Sequence, residues 1–337
     1  MRIATYNVEW FANLFDDNDQ LVLDDGWSGR QDVTRSEQIE AVAKVFTALD
    51  ADAVMIIEAP NTGRKQNTVA ALENFARAFD LRTTKAVMGF ANETHQEIAL
   101  IYDPKMLTAR HDPVGDLSGK KGSLDAPRFD GTFRIDLDID ATEDLVQFSK
   151  PPLELDIGTA RGTRLRMIGA HLKSKAPHGA GSRDMAMRLS IANRRKQLAQ
   201  AIWLRQRIDG HLAQGVPVIL LGDLNDGPGL DDYENLFGRS SVEILLGDDL
   251  YDPHARKALE RRLGAVPTTS RFLLREENRY LGALLDYVMV SPELMASGPA
   301  WRIWHPFDDA RCWEMEELRN ALLTASDHFP VSLDLDI

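Results

Sequence analysis

The chain has 337 residues, a hydrophobic fraction of 44% and a formal net charge of −13 at pH 7. No apolar run approaches the roughly 20 residues that a membrane helix needs, so we expect no membrane insertion. The acidic balance opposes a large non-specific affinity for nucleic acid, because that affinity comes mainly from basic groups. The single cysteine, Cys312, excludes an internal disulfide, and we expect it to be a buried packing residue.

The first residues, Met1-Arg2-Ile3-Ala4, show none of the charged, apolar and cleavage regions of a secretory signal. We therefore expect a cytoplasmic protein. Nothing in the composition indicates an obligate protein partner. Length alone suggests roughly two domains. The polar motifs described below run from end to end and must converge to act, so we expect a single domain over residues 1–337.

Two stretches of the chain share one plan, a helix that leads into an apolar strand. In the first, apolar residues recur at helical spacing over Ile39–Leu49, and Ala53–Ile57 forms a strand that ends at Glu58. In the second, a long helix from about Arg183 to Leu212 precedes a strand over Val216–Leu221. Strands that are apolar without alternation are typical of sheets covered on both faces. We therefore expect two similar halves, each with a sheet covered by helices.

Other segments alternate apolar and polar residues, as antiparallel strands with one solvated face do. These segments are Phe133–Ile139, Leu153–Ile157, Arg164–Ile168 and Val331–Leu335. Two mixed sheets packed face to face, with helices on the outside, accommodate both kinds of strand. The predicted fold class is therefore α/β, with the architecture of a four-layer α/β/β/α sandwich.

Six short polar motifs lie at the ends of apolar runs along the chain. In order they are Thr5-Tyr6-Asn7-Val8-Glu9, Glu58, Gly169-Ala170-His171-Leu172-Lys173-Ser174, Gly222-Asp223-Leu224-Asn225-Asp226, Leu285-Asp286-Tyr287-Val288 and Ser326-Asp327-His328-Phe329-Pro330. Their order, composition and spacing resemble the endonuclease/exonuclease/phosphatase superfamily over residues 5–330, nearly the whole chain. The resemblance implies the sandwich fold and the metal-dependent hydrolysis of a phosphate ester.

Cleavage of a phosphodiester requires a hard cation, a base for the attacking water and a donor where negative charge develops. For the cation, the resemblance implies Glu58 as the principal ligand, with Asn7, Glu9 and Asp327 as further metal-binding residues. Asn7 and Glu9 are alternate residues of an expected strand, so their side chains should share one face. Mg²⁺ prefers oxygen ligands, so we expect Mg²⁺ as the cofactor, with Mn²⁺ able to substitute.

The resemblance also implies the catalytic residues. It assigns Asp223 to the nucleophilic water and Asn225 to the phosphate or a metal. It places His328 at the scissile phosphate, held by Asp286. His171 is expected either to donate a hydrogen bond to a phosphate oxygen or to protonate the leaving group, and both roles stay open.

The chain departs from the family pattern at two positions. Most members place Gln immediately before the metal-binding Glu, whereas Ile57 precedes Glu58 here. In the segment that resembles the family's Arg-Pro-Pro-Leu, Lys150 replaces Arg, which keeps the charge but loses the bidentate fork. Lys150 and Lys173 are candidate phosphate contacts. Arg183 is a third, because it begins a helix whose N-terminus also attracts phosphate.

These residues predict a Mg²⁺-dependent phosphodiesterase that acts on nucleic acid, with DNA preferred, as an endonuclease or exonuclease using in-line attack of an activated water. The alternative is a phosphatase or phosphodiesterase for a small or lipid-linked phosphate. A more remote alternative is a non-catalytic binding protein on the same scaffold. The intact Glu58, Asp223 and His328 disfavour it, because a degenerate copy would be expected to lose one of them.

Overall fold

Two large β-sheets form the centre of the protein. The computed structural model describes residues 1–137, 143–177, 179, 181–227, 238–260, 266–274 and 277–337. Within these residues, helices pack on the outer face of each sheet, so the layers follow the order helix, sheet, sheet, helix. This architecture confirms the predicted four-layer α/β sandwich.

The first sheet carries the N-terminal and C-terminal strands side by side. Its strands in spatial order are β14 (Ala300–Ile303), β15 (Val331–Asp334), β1 (Arg2–Asn7), β2 (Ala53–Ala59), β4 (Glu97–Tyr102) and β3 (Lys85–Met88). β1 runs parallel to β2, with Asn7 opposite Ile57. Both strands therefore end at the same edge of the sheet, which brings Asn7 and Glu58 to that edge.

The second sheet aligns three motif residues on neighbouring strands. Its strands in spatial order are β13 (Asp286–Val290), β10 (Val218–Asp223), β9 (Arg164–His171), β8 (Leu153–Thr159) and β5 (Leu107–His111). β10 is parallel to β9, where Asp223 is opposite His171, and antiparallel to β13, where Asp223 is opposite Asp286. The register therefore places these three residues in one row across the sheet.

Gly222 permits the close approach of β9 and β10 just before Asp223. Its backbone has a φ of +136°, and a Cβ atom there would lie 2.0 Å from the carbonyl oxygen of Ala170. A residue with a side chain could not occupy this position without moving a strand. The sheet itself thus requires the glycine that precedes Asp223.

Two short hairpins accompany the sheets. In one, β6 (Phe133–Ile135) pairs with β7 (Asp144–Val146), and in the other, β11 (Ser270–Leu274) pairs with β12 (Arg279–Ala283). The strand predicted up to Ile139 is therefore shorter in the described chain, where it ends at Ile135, and residues 138–142 lie outside the described part.

Helices cover the outer faces of the sheets. In chain order they are α1 (Arg35–Leu49), α2 (Thr68–Ala78), α3 (Arg183–Leu212), α4 (Ser241–Leu246), α5 (Pro253–Glu260), α6 (Ala310–Glu314) and α7 (Glu316–Ala325), with 3₁₀-helices at Phe11–Leu14 and Pro292–Ser297. α1 begins with a capping box, in which the Thr34 hydroxyl accepts the Glu37 N–H and the Glu37 carboxylate accepts the Thr34 N–H. None of the helices in the described chain is both long and apolar enough to cross a membrane.

Three apolar layers hold the sandwich together. Between the sheets, Gly169 lets the strands approach so closely that a Cβ atom there would lie 2.4 Å from the sulfur of Met55. Between the first sheet and its helices, the rings of Phe46 and Phe75 pack edge to face with centres 5.3 Å apart. Between the second sheet and its helices, Trp203 of α3 is fully buried. These layers fix the relative position of the two strand edges that carry the motifs.

Candidate active site

The predicted motifs converge on one cavity at the edge where the motif strands of both sheets end. The cavity has a volume of about 1000 Å³. The predicted residues that line it are Asn7, Glu9, Glu58, Lys150, His171, Lys173, Asp223, Asn225, Asp327 and His328. Asp286 is buried next to them and contacts His328. A second cavity, of about 500 Å³ between β7 and α3, is lined by other residues.

Asp223 is buried in the cavity wall and is held by two asparagines. Its Oδ1 accepts the backbone N–H of Asn225 at 2.8 Å. Its Oδ2 accepts the side-chain N–H groups of Asn7 and Asn225, each at 3.1 Å. Burial raises the pKa of Asp223 to about 7, although the nearby His328 opposes this shift. A carboxylate with this pKa can accept a proton near neutral pH.

Asp286 and His328 form a buried pair next to Asp223. Nδ1 of His328 lies 2.8 Å from Oδ2 of Asp286, which also accepts the hydroxyl of Thr269 at 2.8 Å. Burial alone would lower the pKa of His328, but the carboxylates of Asp286 and Asp223 outweigh it and hold the pKa well above its ordinary value. The imidazolium form of His328 is therefore favoured, and its Nε2 lies 4.0 Å from Oδ2 of Asp223.

His171 is buried beside Lys150 in surroundings that favour its neutral form. Its Nδ1 lies 3.2 Å from the ammonium nitrogen of Lys150, and its Nε2 lies 3.5 Å from Oδ2 of Asp223. Burial, with the positive charges of Lys150 and His328, holds the pKa of His171 well below its ordinary value. Because an ammonium group can only donate, Nδ1 is the accepting nitrogen and Nε2 carries the proton. His171 thus offers an N–H donor beside Asp223.

Glu58 lies on a β-bulge near the end of β2. The register with β4 shifts between Ile57 and Ala59, and Glu58 has a left-handed φ of 62°. Backbone strain of this kind in a non-glycine residue is typical of functional sites. Gln96, just before β4, donates its side-chain N–H to Oε2 of Glu58 at 2.6 Å. Gln96 therefore supplies an amide from the neighbouring strand, whereas the family pattern has Gln in the position of Ile57.

Burial and the nearby carboxylate of Asp327 raise the pKa values of Glu58 and Glu9. Burial raises the pKa of Glu58, Asp327 raises it further, and Lys150, 3.8 Å from Oε1, acts in the opposite direction. Burial and Asp327 also raise the pKa of Glu9 to about 7. Several carboxylates that share a cavity disfavour each other's charged forms. A cation bound among them would relieve this repulsion.

The position of Glu9 differs from the prediction. β1 ends at Asn7, so the alternation of a strand does not extend to Glu9. The expectation that both side chains share one strand face was wrong, because the chain leaves the sheet after Asn7 and enters the 3₁₀-helix at Phe11–Leu14. The carboxylate of Glu9 forms an ion pair with Arg30 and accepts the indole N–H of Trp10 at 2.9 Å. Both of its oxygens are therefore engaged, although Glu9 still lines the cavity.

Lys173 and Arg183, both predicted phosphate contacts, lie in different places. Lys173 lines the cavity, and its backbone N–H donates to Oε1 of Gln200 in α3 at 2.9 Å. Arg183 is exposed at the first residue of α3. α3 reaches the cavity at Ser190, about two turns further along the helix. The described lining of the cavity therefore does not include Arg183.

One wall of the cavity was not predicted from the motifs. It is apolar and contains Phe272, Leu274 and Leu281 of the hairpin formed by β11 and β12, together with Trp10. The ring of Phe272 packs against that of His328, with centres 5.5 Å apart. Two short apolar runs, Phe272–Leu274 and Tyr280–Leu281, flank a polar turn before the Leu285-Asp286 motif, but the place of this hairpin over the cavity depends on long-range contacts.

Asn7 carries an oxygen atom that suits a hard cation. Its Oδ1 is buried and accepts no hydrogen bond from any residue that the structure describes, while its Nδ2 donates to Asp223. A buried acceptor without a donor is unfavourable. Glu58 and Asp327, which line the same cavity, add carboxylate oxygens. This set of oxygen atoms fits a divalent cation such as Mg²⁺.

A second group of potential ligands is less suited to a metal. In the described part of the chain, Asp223, Asp286 and His328 place potential ligand atoms within 4.8 Å of one another. His328 donates one ring N–H to Asp286 and is held as an imidazolium. A protonated imidazole has no lone pair for a metal ion. The oxygen atoms of Glu58 and Asn7 therefore fit a hard cation better than this group does.

One family model and several solved structures match this chain. A family model described as the Endonuclease/Exonuclease/phosphatase family matches residues 4–328. Among curated proteins, none matches this chain significantly.

Solved structures share the fold of this chain. An AP endonuclease from Archaeoglobus fulgidus has a TM-score of 0.53 at 13% identity, over 100% of this chain and 100% of that chain. The 3′ phosphatase NExo from Neisseria, bound to a product DNA hairpin, has a TM-score of 0.51 at 15% identity, over 100% of each chain. TDP2 from C. elegans has a TM-score of 0.50 at 14% identity, over 98% of this chain and 74% of that chain. At these identities the likeness shows a shared fold.

Proposed function

Because the chain belongs to the endonuclease/exonuclease/phosphatase family of metal-dependent phosphoric ester hydrolases, we propose that it cleaves phosphodiester bonds of nucleic acid by in-line attack of a water molecule. DNA is the proposed substrate. The main support for attack by a water molecule is the environment of Asp223, which is buried, held by Asn7 and Asn225, and flanked by His171 and His328.

Asp223 is the proposed base for the attacking water. Its pKa of about 7 leaves a large unprotonated fraction at neutral pH, where a general base is most effective when its pKa is close to the working pH. Asn225 orients the carboxylate, because its backbone and side-chain N–H groups both donate to it. Nδ2 of Asn225 also donates to the carbonyl oxygen of Leu172 at 3.1 Å, which holds the amide in place.

Two histidines are proposed to contact the phosphate in different protonation states. His328 offers an N–H group and a positive charge where negative charge develops on the phosphoryl oxygens, and Asp286 keeps it charged. His171 is neutral and offers its Nε2–H alone. Its neutrality favours a hydrogen bond to a phosphate oxygen over protonation of the leaving group, because a neutral imidazole is a weak acid.

Glu58 and Asn7 are the proposed cation ligands, with Asp327 beside them. All three offer oxygen atoms, which Mg²⁺ prefers, so we propose Mg²⁺ as the cofactor and Mn²⁺ as a substitute for it. When bound, such a cation polarises a phosphoryl oxygen and neutralises charge in the transition state. Glu9, whose carboxylate is engaged by Arg30, is proposed to act from outside the ligand set by adding negative charge.

The lining of the cavity supports a substrate that combines charged and flat groups. Lys150 and Lys173 line it together with the apolar residues Phe272 and Leu281. A nucleotide presents a phosphate and a flat base to such a surface. The Neisseria neighbour is bound to a product DNA hairpin, which makes DNA the first substrate to test.

We also propose that residues 1–337 act as one domain, because Asn7 and His328, from opposite ends of the chain, line the same cavity. A cytoplasmic location and the lack of an obligate protein partner stay predictions from the sequence.

A phosphatase or phosphodiesterase for a small or lipid-linked phosphate is the second candidate. The apolar wall formed by Phe272, Leu274 and Leu281 favours it, because this wall would accept the apolar part of a lipid or of an aromatic alcohol. The net charge of −13 also weakens the binding of a long polyanion.

Cleavage assays separate the two candidates. Plasmid and end-labelled DNA are incubated with the protein and Mg²⁺, beside small phosphomonoesters. Nicking or end-trimming that disappears with EDTA and in Asp223→Asn would support the nuclease. Intact DNA together with phosphate release from monoesters would support the second candidate instead. Asp130→Asn is the matched control, because Asp130 pairs with Arg128 outside the cavity, and this variant should retain activity.

A further inference from the structure

A row of exposed aromatic side chains and partly exposed arginine side chains lies near the cavity. It consists of Tyr280, Arg271, Phe307, Trp313 and Arg319, in this order, and is called the aromatic strip below. The exposed fractions of Tyr280, Phe307 and Trp313 are 51%, 41% and 52%. Single exposed apolar side chains are common on protein surfaces, whereas a contiguous group of them marks an interaction site.

Each member of the aromatic strip contacts the next. The guanidinium carbon of Arg271 lies 3.3 Å from the ring centre of Tyr280 and 5.4 Å from that of Phe307. The ring centres of Phe307 and Trp313 are 6.2 Å apart, and the guanidinium carbon of Arg319 lies 4.8 Å from the Trp313 ring. These cation–π contacts order the side chains before a ligand arrives. Binding to the strip would therefore cost little side-chain entropy.

The aromatic strip begins on the hairpin that forms one wall of the cavity. Phe272 and Leu281 of the hairpin of β11 and β12 line the cavity, whereas Arg271 and Tyr280, each one residue earlier in the same strands, lie on the other face of this hairpin. The backbone N–H of Arg271 donates to the carbonyl oxygen of Asp327 at 2.7 Å, and the ring of Phe272 packs against that of His328. A nucleic-acid strand whose phosphate lies beside His328 would therefore pass over the edge of the hairpin to reach the strip.

The guanidinium group of Arg271 is available for phosphate, whereas that of Arg319 already donates one N–H to the carbonyl oxygen of Trp313 at 2.6 Å. Two carboxylates close to the strip in sequence form ion pairs with other arginines. Asp309 pairs with Arg302 at 2.7 Å, and Glu277 pairs with Arg279. Among the residues that the structure describes, no carboxylate forms an ion pair with Arg271. The strip thus combines flat apolar faces with positive charge on an otherwise acidic protein.

We propose that the aromatic strip binds unpaired nucleotides on one side of the cleavage point. Bases stack on Tyr280, Phe307 and Trp313, and phosphates lie near Arg271 and Arg319. Every base has a flat face, so binding of this kind tolerates many sequences. The inference rests on the proposed action on nucleic acid and specifies its substrate. The preferred substrate carries a single-stranded segment next to the scissile phosphate, because paired bases in a duplex do not expose their faces.

Variants of the strip test this proposal. Trp313→Leu and Phe307→Leu keep an apolar side chain but remove the aromatic ring, and Trp313→Phe keeps a ring and is the matched control. Arg319→Gln removes a positive charge and leaves every ring of the strip in place. All these side chains are at least partly exposed, so melting temperatures close to that of the wild type are expected.

Three substrates are compared by steady-state kinetics: a single-stranded oligonucleotide, a blunt duplex of the same sequence and bis(p-nitrophenyl) phosphate. The last is a diester too small to reach from the cavity to the strip. Loss of one stacking ring weakens single-strand binding by about 5- to 150-fold. In both Leu variants the KM for the single strand should rise by about 5- to 150-fold, with kcat unchanged. The KM of Trp313→Phe for the single strand should stay near that of the wild type. The KM for the small diester should not change, and Arg319→Gln should reduce the salt dependence of the single-strand KM.

The outcomes distinguish the two proposals. If the wild type cleaves the single strand and the Leu variants leave its KM unchanged, the strip does not bind the substrate, and the proposed nuclease function stands. If the wild type cleaves the small diester but neither nucleic acid, both proposals fall. If the wild type sediments as a dimer, Trp313→Leu sediments as a monomer and the single-strand KM is unchanged, the strip joins two copies of this chain, and the proposal is overturned.

Discussion

Replacement of Gln96 by Leu tests whether the amide beside β4 supports Glu58 as a cation ligand. In the wild type, Nε2 of Gln96 donates to Oε2 of Glu58 at 2.6 Å, a short distance typical of a charged acceptor. This hydrogen bond orients a carboxylate whose backbone is strained at a φ of 62° and whose other oxygen lies 3.8 Å from Lys150. Without the amide, the carboxylate is expected to turn toward the ammonium group of Lys150.

The energy of this hydrogen bond sets the size of the effect. Hydrogen bonds to charged groups contribute roughly 1.5–3 kcal/mol, which corresponds to a factor of about 10 to 150 in an equilibrium constant. Removing the partner of a metal ligand costs about 10- to 100-fold in metal affinity or activity. We therefore expect Gln96→Leu to raise the Mg²⁺ concentration for half-maximal rate by about 10- to 100-fold, with a smaller change in kcat at saturating Mg²⁺.

Initial rates of cleavage against Mg²⁺ concentration measure this requirement, and Mn²⁺ binding followed by electron paramagnetic resonance measures affinity without turnover. Gln66→Leu is the matched control, because Gln66 accepts the side-chain N–H of Asn61 outside the cavity. Glu58→Gln should show a larger increase than Gln96→Leu. An unchanged Mg²⁺ requirement in Gln96→Leu, beside a strongly impaired Glu58→Gln, would refute the reasoning.

Protonation states in the site and at one distant histidine lead to three further expectations. Asp223→Asn should lower kcat by about 10²- to 10⁴-fold. The melting temperature of this variant at pH 8 should match or exceed that of the wild type, because the variant lacks a buried carboxylate whose pKa is raised to about 7. Normal turnover by the variant would contradict the assignment of Asp223 as the base. Asp286→Asn should move the alkaline limb of the pH–kcat profile to lower pH, because His328 loses the carboxylate that keeps it protonated, and an unmoved limb would count against this pairing. Burial lowers the pKa of His254 from 6.5 to about 4, so this residue contributes stability that is present above pH 6.5 and is lost as the pH falls through 4. The free energy of unfolding, measured with urea, should therefore fall between pH 7.5 and pH 4.5 by about 2–3 kcal/mol less in His254→Gln than in the wild type. Equal falls in the two proteins would contradict this assignment of His254.

Patterns between residues close in sequence were sufficient to predict much of the fold. The helix predicted from Arg183 to Leu212 has the same ends as α3, where Ser182 accepts the Met185 N–H as the N-cap. The apolar runs predicted as buried strands correspond to β2 and β10. Cys312 is fully buried, as expected for a packing residue. Each of these features is encoded by local periodicity, capping or composition.

Features of the site that depend on contacts between distant residues were missed. Gln96 meets Glu58 because β4 runs antiparallel to β2, a register that no motif encodes. The apolar wall, including Phe272, depends on where the hairpin of β11 and β12 packs. Arg183 begins α3 as predicted, but the helix meets the cavity about two turns later, at Ser190. A single sequence gives the order of such elements and not their relative position in space.

The carboxylates of the cavity differ from a carboxylate elsewhere that stabilises the fold. Asp309 is partly buried, yet its pair with Arg302 lowers its pKa to about 2. In the cavity, burial raises the pKa of Glu9 and of Asp223 to about 7 and also raises that of Glu58. A carboxylate whose pKa is raised on folding destabilises the folded state as the pH rises from its pKa in the unfolded chain to its pKa in the folded protein. The fold therefore retains an unfavourable cluster of negative charge at neutral pH, and a bound cation would reverse the local field. Part of the acidity that opposes binding of a polyanion to the free protein thus belongs to Glu58 and Asp327, the proposed carboxylate ligands of the cation that would allow a phosphate to bind.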